Sequence, residues 1–170
     1  MIQESQSTSD PSKRVGLAFT VLQVVLSVLG TIDASMLWLL DNHKADIPCT
    51  ADGGCEAIAN SIYSVVNIAG HSVQIALIGI IGYSALLTLA MAKAASETSK
   101  AINLISLAMV IFSGGGFIYS WYLQVESFTV IHKHCIYCII SACIMTILFF
   151  SCAIERRKLS QTGLTSADKI

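Results

Sequence analysis

Charge is what this sequence has least of. Asp, Glu, Lys and Arg make up 12% of its 170 residues, about half the share a soluble globular domain carries. With 54% hydrophobic residues and a mean hydropathy of +0.69, this excludes an ordinary soluble domain and points to an integral membrane protein. A surplus of positive charge is also missing. The formal net charge is -1, which argues against nucleic acid as a partner. The apolar runs lack the strict alternation of a barrel strand, so a β-barrel is excluded. The first run lacks a small-residue cleavage site followed by a soluble domain, and it is too long for a cleavable signal peptide. No internal repeat is visible, and low complexity is confined to the tails. The length allows one domain and hardly two.

What is present is a set of apolar stretches at residues 15–40, 72–92, 101–123 and 136–154. About 20 residues of helix cross a bilayer core, and inside lipid the backbone must satisfy its own hydrogen bonds. The expected fold is an all-α membrane protein, a four-transmembrane-helix bundle over residues 15–154. It is flanked by a disordered tail (1–14) and a second tail (155–170). Lys13, Arg14, Lys93, Lys100, Arg156, Arg157, Lys158 and Lys169 fall on one side of such a bundle, and only Lys44 and Lys133 on the other. The positive-inside rule then puts both termini in the cytoplasm, and loops 41–71 and 124–135 outside.

The outer loop opens with "DNHKADIPCTADGGC", whose Pro48 and Gly53-Gly54 pair mark a turn-rich segment. After Cys55, the residues Ala57, Ile58, Ile62, Val65 and Val66 recur at helical spacing. They predict a short amphipathic interfacial helix in the first outer loop. The link "KAASETSK" is short, so spans two and three should form an antiparallel hairpin. "SGGGF", Ser113 to Phe117, lies within span three. Its glycines suit either close helix packing or a wall beside a flat ligand.

Six cysteines are present. Cys143 and Cys152 sit within span four and read as small apolar residues. The others form two pairs, Cys49 with Cys55 across "TADGG" and Cys135 with Cys138 in "HKHCIYC". The assigned orientation places all four outside, with His43, His132 and His134, where disulfides are permitted. If span four starts near Cys135, both of its thiols fall in the first helical turn. There the helix dipole and Lys133 favour thiolate. The glycines of "CTADGGC" allow a turn that brings two sulfurs together.

Four readings compete for these cysteines. Structural disulfides are one, although a CxxC ring is small and makes a poor staple. Zinc or another soft metal is a second, although these spacings are not those of a zinc finger. Transport of a soft metal across the membrane is a third, although the pairs cluster at one face. The fourth is thiol–disulfide exchange that passes electrons from one pair to the other, and on to a lipid-soluble quinone at bilayer depth.

The sequence resembles the bacterial-type vitamin K epoxide reductase family. The resemblance rests on four spans, on "CTADGGCEAIANS" in the first outer loop, on "GIIGY" in span two and on CxxC opening span four. The other quinone-linked disulfide generator of bacterial envelopes is also a four-helix bundle, but its CxxC comes first. The resemblance implies that Cys49, Cys55, Cys135 and Cys138 are the redox cysteines. Cys49 would exchange with a thioredoxin-like partner. Cys55 would attack Cys135 and so reduce the Cys135–Cys138 disulfide, and Cys138 would face the quinone. Ser61 falls on the family's active-site serine and would help polarise the bound ring. The quinone would be of ubiquinone, menaquinone or phylloquinone type.

The products would be disulfides outside and quinol in the membrane, in a bacterial inner membrane with the site on the periplasmic side. A ring-contacting tyrosine of vertebrate members would fall at Ala142, and a proline of bacterial members at Gln74. The fused thioredoxin-like domain of many bacterial members has no counterpart, which implies a separate partner. Phe117, Tyr119 and Trp121 are further candidates for the quinone pocket, or are packing and interface anchors. Asp33, within span one, is a functional candidate as an intramembrane carboxylate, or a shallow group bonded to Ser35 or to water.

Overall fold

The computed structural model describes residues 11–42, 65–68, 71–96, 98–131 and 135–167. Four helices dominate: α1 (Pro11–Asp41), α2 (Ile75–Ala95), α3 (Ser99–Glu126) and α4 (Ile136–Ala167). Four stretches are long and apolar enough to cross a membrane: Gly16–Leu40, Ile75–Ala95, Lys100–Thr129, which runs past α3 into the following turn, and Ile136–Gln161. The chain is a multi-pass membrane protein. Its helices are apolar on the outside as well as the inside, as spans are; Leu17, Ile81, Leu104 and Ile118 are among the exposed large apolar residues.

Several hydroxyl groups inside the spans are satisfied locally, although Ser27 Oγ and Ser106 Oγ are buried without a partner among the described residues. Thr31 Oγ1 donates to the Ser27 carbonyl at 2.8 Å, Ser35 Oγ to the Thr31 carbonyl at 2.7 Å and Ser113 Oγ to the Met109 carbonyl at 2.6 Å. This back-bonding to the preceding turn keeps Ser and Thr compatible with lipid.

The helices pack in a ring, with α1 against α2 and α4, and α3 against α4 and more loosely against α2. One buried cluster joins Leu26 and Ala34 of α1, Tyr83 and Leu86 of α2, and Ile144, Met145 and Leu148 of α4. A second, nearer the α2–α3 connection, joins Ala90, Met109 and Cys152. Close approach of α1 and α2 depends on Gly30, where a Cβ would overlap the Tyr83 ring.

Several boundaries differ from the sequence expectation. Residues 65–68 and 71–74 form an antiparallel pair of strands, β1 and β2, with Val65 opposite Gln74 and Ile68 opposite His71. Val65 and Val66 are therefore extended and not the end of an amphipathic helix, and span two begins at Ile75 instead of residue 72. The β-branched residues Val65, Val66, Ile68 and Val73 fit a pleated surface, and two adjacent valines satisfy a helical pattern by coincidence. The rest of the expected interfacial helix lies outside the described residues.

α1 starts at Pro11, inside the expected tail, with proline in the first helical position it favours. The expected outer loop from 124 instead continues α3 to Glu126 and a π-helical turn, Ser127–Ile131, because no glycine or proline interrupts "WYLQVESFTVI". The expected tail from 155 is helical to Ala167, carried by the helix formers "ERRKL".

Candidate functional site

The start of α4 is built around a sulfur. Cys135 immediately precedes the helix, and the Cys138 N–H donates to its Sγ at 3.4 Å. The Ile139 N–H donates to the Cys135 carbonyl at 3.1 Å. A first-turn N–H has no partner within its own helix, so Cys135 stands in the capping position, its thiol doing what a Ser or Asp oxygen usually does. Cys135 is 2% exposed. Cys138, one turn on, is partly buried and lies on the wall of a cavity.

That cavity measures about 410 Å³ and is walled by all four helices. Its surface is largely apolar, with a few polar groups from each side: Asp33 on α1, Tyr83 on α2, Ser120 and Gln124 on α3, and Ser141 on α4. The Tyr83 hydroxyl donates to the Ser141 carbonyl at 3.1 Å and lies 2.9 Å from Ser141 Oγ, which ties α2 to α4. Gly82 and Gly115 enlarge the space, since a Cβ at either would meet nothing within 4 Å. Ile81 and Phe112 line the cavity and are also 61% and 58% exposed. The α2–α3 side therefore faces both the cavity and the surroundings.

The "SGGGF" run answers both of its readings. Gly114 faces Phe149, and at Gly116 a Cβ would come within 2.7 Å of Met145 Cε, so these two allow close packing on α4. Gly115 opens on the cavity. The candidate aromatics divide similarly. Phe117 stacks on Phe149 at 5.3 Å between centroids, and Trp121 Nε1 donates to Thr146 Oγ1 at 3.2 Å. Both serve α3–α4 packing, while Tyr119 lines the cavity.

Asp33 lines it as well. The expected bond to Ser35 is not formed, because the Ser35 hydroxyl is spent on the Thr31 carbonyl. Cys143 is exposed and Cys152 buried, both as free thiols. Ala142 is buried and holds the Thr146 hydroxyl through its carbonyl at 2.7 Å.

Cys49, Cys55, Ser61, His43, His132, Lys133 and His134 lie outside the described residues. Among the described residues no group of three or more His, Cys, Asp or Glu is placed to hold a metal ion. Sequence reasoning passed over Gln124, assigned to a loop, and Ser141. A polar residue next to a span boundary was the only available signal for Gln124, and Ser141 reads as an ordinary small residue. Tyr83 was visible within "GIIGY", but its partner was not.

The family model for vitamin K epoxide reductases matches residues 21–153, which run from α1 into α4 and include every wall of the cavity. The chain belongs to the vitamin K epoxide reductase family. Membership makes it a membrane oxidoreductase of thiol, disulfide and quinone chemistry. No curated protein matches the chain.

Proposed function

We propose that the protein relays two electrons at a time from an extracytoplasmic thioredoxin-like protein to a quinone, making disulfides and quinol. Cys49 exchanges with the partner, and Cys55 carries the pair of electrons to the Cys135–Cys138 disulfide. Cys138 faces the ring, and Ser61 helps polarise it. The site opens on the periplasmic side of a bacterial inner membrane, with both termini in the cytoplasm.

The observation that carries this reading is the position of Cys138 on the wall of a 410 Å³, largely apolar cavity, with Cys135 buried and its Sγ 3.4 Å from the Cys138 N. That volume falls in the range of small-molecule sites, about 300–1,000 Å³. Its apolar walls suit a flat ring, and the lipid-facing α2–α3 side suits the ring's isoprenoid tail. Two thiols in one helical turn can close a disulfide as the electrons leave. The dithiol gives up two electrons and two protons, and the quinone takes up both to become quinol, so no other oxidant is required. Burial of Cys135 keeps small thiols from the pair and favours delivery by a docked cysteine.

The test is quinol formation by the purified chain in lipid, with a reduced thioredoxin-like protein as donor. Quinol should form in step with disulfide in the donor. Donor oxidation without quinol, or no reaction at all, overturns the relay.

A further inference from the structure

The relay leaves two polar side chains of the cavity without a task. Asp33 on α1 and Gln124 on α3 are each 8% exposed, and both line the cavity. Among the described residues neither side chain has a hydrogen-bond partner. Two neighbouring hydroxyls are engaged elsewhere: Ser35 with the Thr31 carbonyl, and Tyr83 with Ser141. Polar groups that open on an apolar cavity without a partner are costly, most of all an ionisable one inside a membrane. They persist where a ligand completes them.

Their placement describes that ligand. In the ring of helices α1 and α3 form one of the two diagonal pairs, so Asp33 and Gln124 approach the cavity from opposite walls. Between them lie apolar residues and the space left open by Gly82 and Gly115. A molecule that fits is flat and apolar, with an oxygen acceptor at each end. This is the outline of the quinone in the reading above, on which the inference rests.

We propose that Asp33, as a carboxylic acid, donates a proton to one quinone oxygen while the Gln124 amide hydrogen-bonds the other. As electrons leave the thiols, the Cys135 and Cys138 sulfurs join and negative charge develops on the quinone oxygens. Asp33 protonates one oxygen and is reprotonated from the two protons that the thiols release; the second reaches the other oxygen. The carboxyl group is thus unchanged after each turnover, and quinol leaves with two protons and two electrons. Gln124 positions the ring and exchanges no proton.

The experiment uses the full chain in lipid nanodiscs, a reduced thioredoxin-like protein as donor and a benzoquinone with a ten-carbon tail. Quinol formation is followed against pH. Asp33→Asn should lower kcat on the order of 100-fold, the usual worth of a positioned acid, with KM within about threefold. The pH profile should lose one limb. Asp33→Glu should recover about a tenth of the activity or more, since it keeps the proton. Gln124→Leu should raise KM and leave the shape of the pH profile intact. The other titratable groups on the cavity wall are Tyr83, Tyr119 and Cys138. Asp33→Asn should also be at least as heat-stable as the parent, because it removes an unpartnered buried carboxyl.

An unchanged kcat in Asp33→Asn across pH overturns the proposal. So does an equal loss in the Asn and Glu variants, which makes the position merely structural. Failure of the unaltered chain to reduce the quinone overturns the relay itself, and this inference with it.

Discussion

Lys93 Nζ lies 2.7 Å from Glu155 Oε2, with both side chains almost enclosed by the bundle. Gln23 completes the arrangement. Its Oε1 accepts from Lys93 Nζ at 2.6 Å, and its Nε2 donates to Glu155 Oε2 at 2.8 Å. Three helices, α1, α2 and α4, are thereby joined at the end of the bundle opposite Cys138. Sequence reading counted Lys93 as a loop charge. The structure instead places it within α2, 6% exposed. The bundle is thus closed at one end by a bonded ion pair and hollow at the other.

Breaking this pair from one side should be severe. Lys93→Met leaves the Glu155 carboxylate buried without its counter-charge, with only the Gln23 bond remaining, which costs about 3–5 kcal/mol. Replacing both, Lys93→Met with Glu155→Leu, should restore most of the stability, because matched apolar groups in such a site come close to neutral. Thermal unfolding in nanodiscs of the two single variants and the double variant measures this. A strictly additive double variant contradicts direct pairing.

The cysteine pair should be indispensable to quinone reduction. Cys135→Ala and Cys138→Ala should each reduce quinol formation to under about 1% of the parent, because neither sulfur can form a disulfide alone. Thiol trapping of the resting oxidised protein should find Cys49 bonded to Cys55 and Cys135 to Cys138. Cys143→Ser and Cys152→Ser should keep the activity; its loss in either would point to a relay through span four.

Two glycines should respond in opposite ways. Gly115→Leu projects into open cavity, where a Cβ meets nothing within 4 Å. It should raise the KM for quinone about tenfold or more, as a blocked site does, and leave stability almost unchanged. Gly30→Ala forces a methyl group into the Tyr83 ring. It should destabilise the bundle by about 1–3 kcal/mol, the usual cost of overpacking. Quinone titration and melting curves on the same two preparations separate the effects.

A soft-metal site makes a different demand on the same four thiols. Metal analysis and thiol counting on one purified sample should find less than one metal per chain and thiols that react whether or not a chelator is present. Stoichiometric zinc, copper or mercury that protects all four cysteines would favour metal binding over the relay.

Much of this was legible in the chain itself, for a physical reason. Lipid offers no hydrogen bonds, so each crossing must be a long apolar helix, and four such stretches stand out from a sequence with 12% charge. The CxxC motif is local. Two cysteines three positions apart at the head of a span share a helical turn wherever that helix packs, and the structure starts α4 at Ile136, directly after Cys135.

Packing between distant segments decided the rest. That Gln23, Lys93 and Glu155 meet, that Tyr83 reaches Ser141, and that Asp33, Gln124 and Cys138 share one cavity all depend on how four helices of nearly uniform apolarity are rotated against one another. A helix that is apolar all round carries little signal for which face turns inward. That choice is made by small residues such as Gly30 and by a few polar groups that find partners only once the bundle has formed.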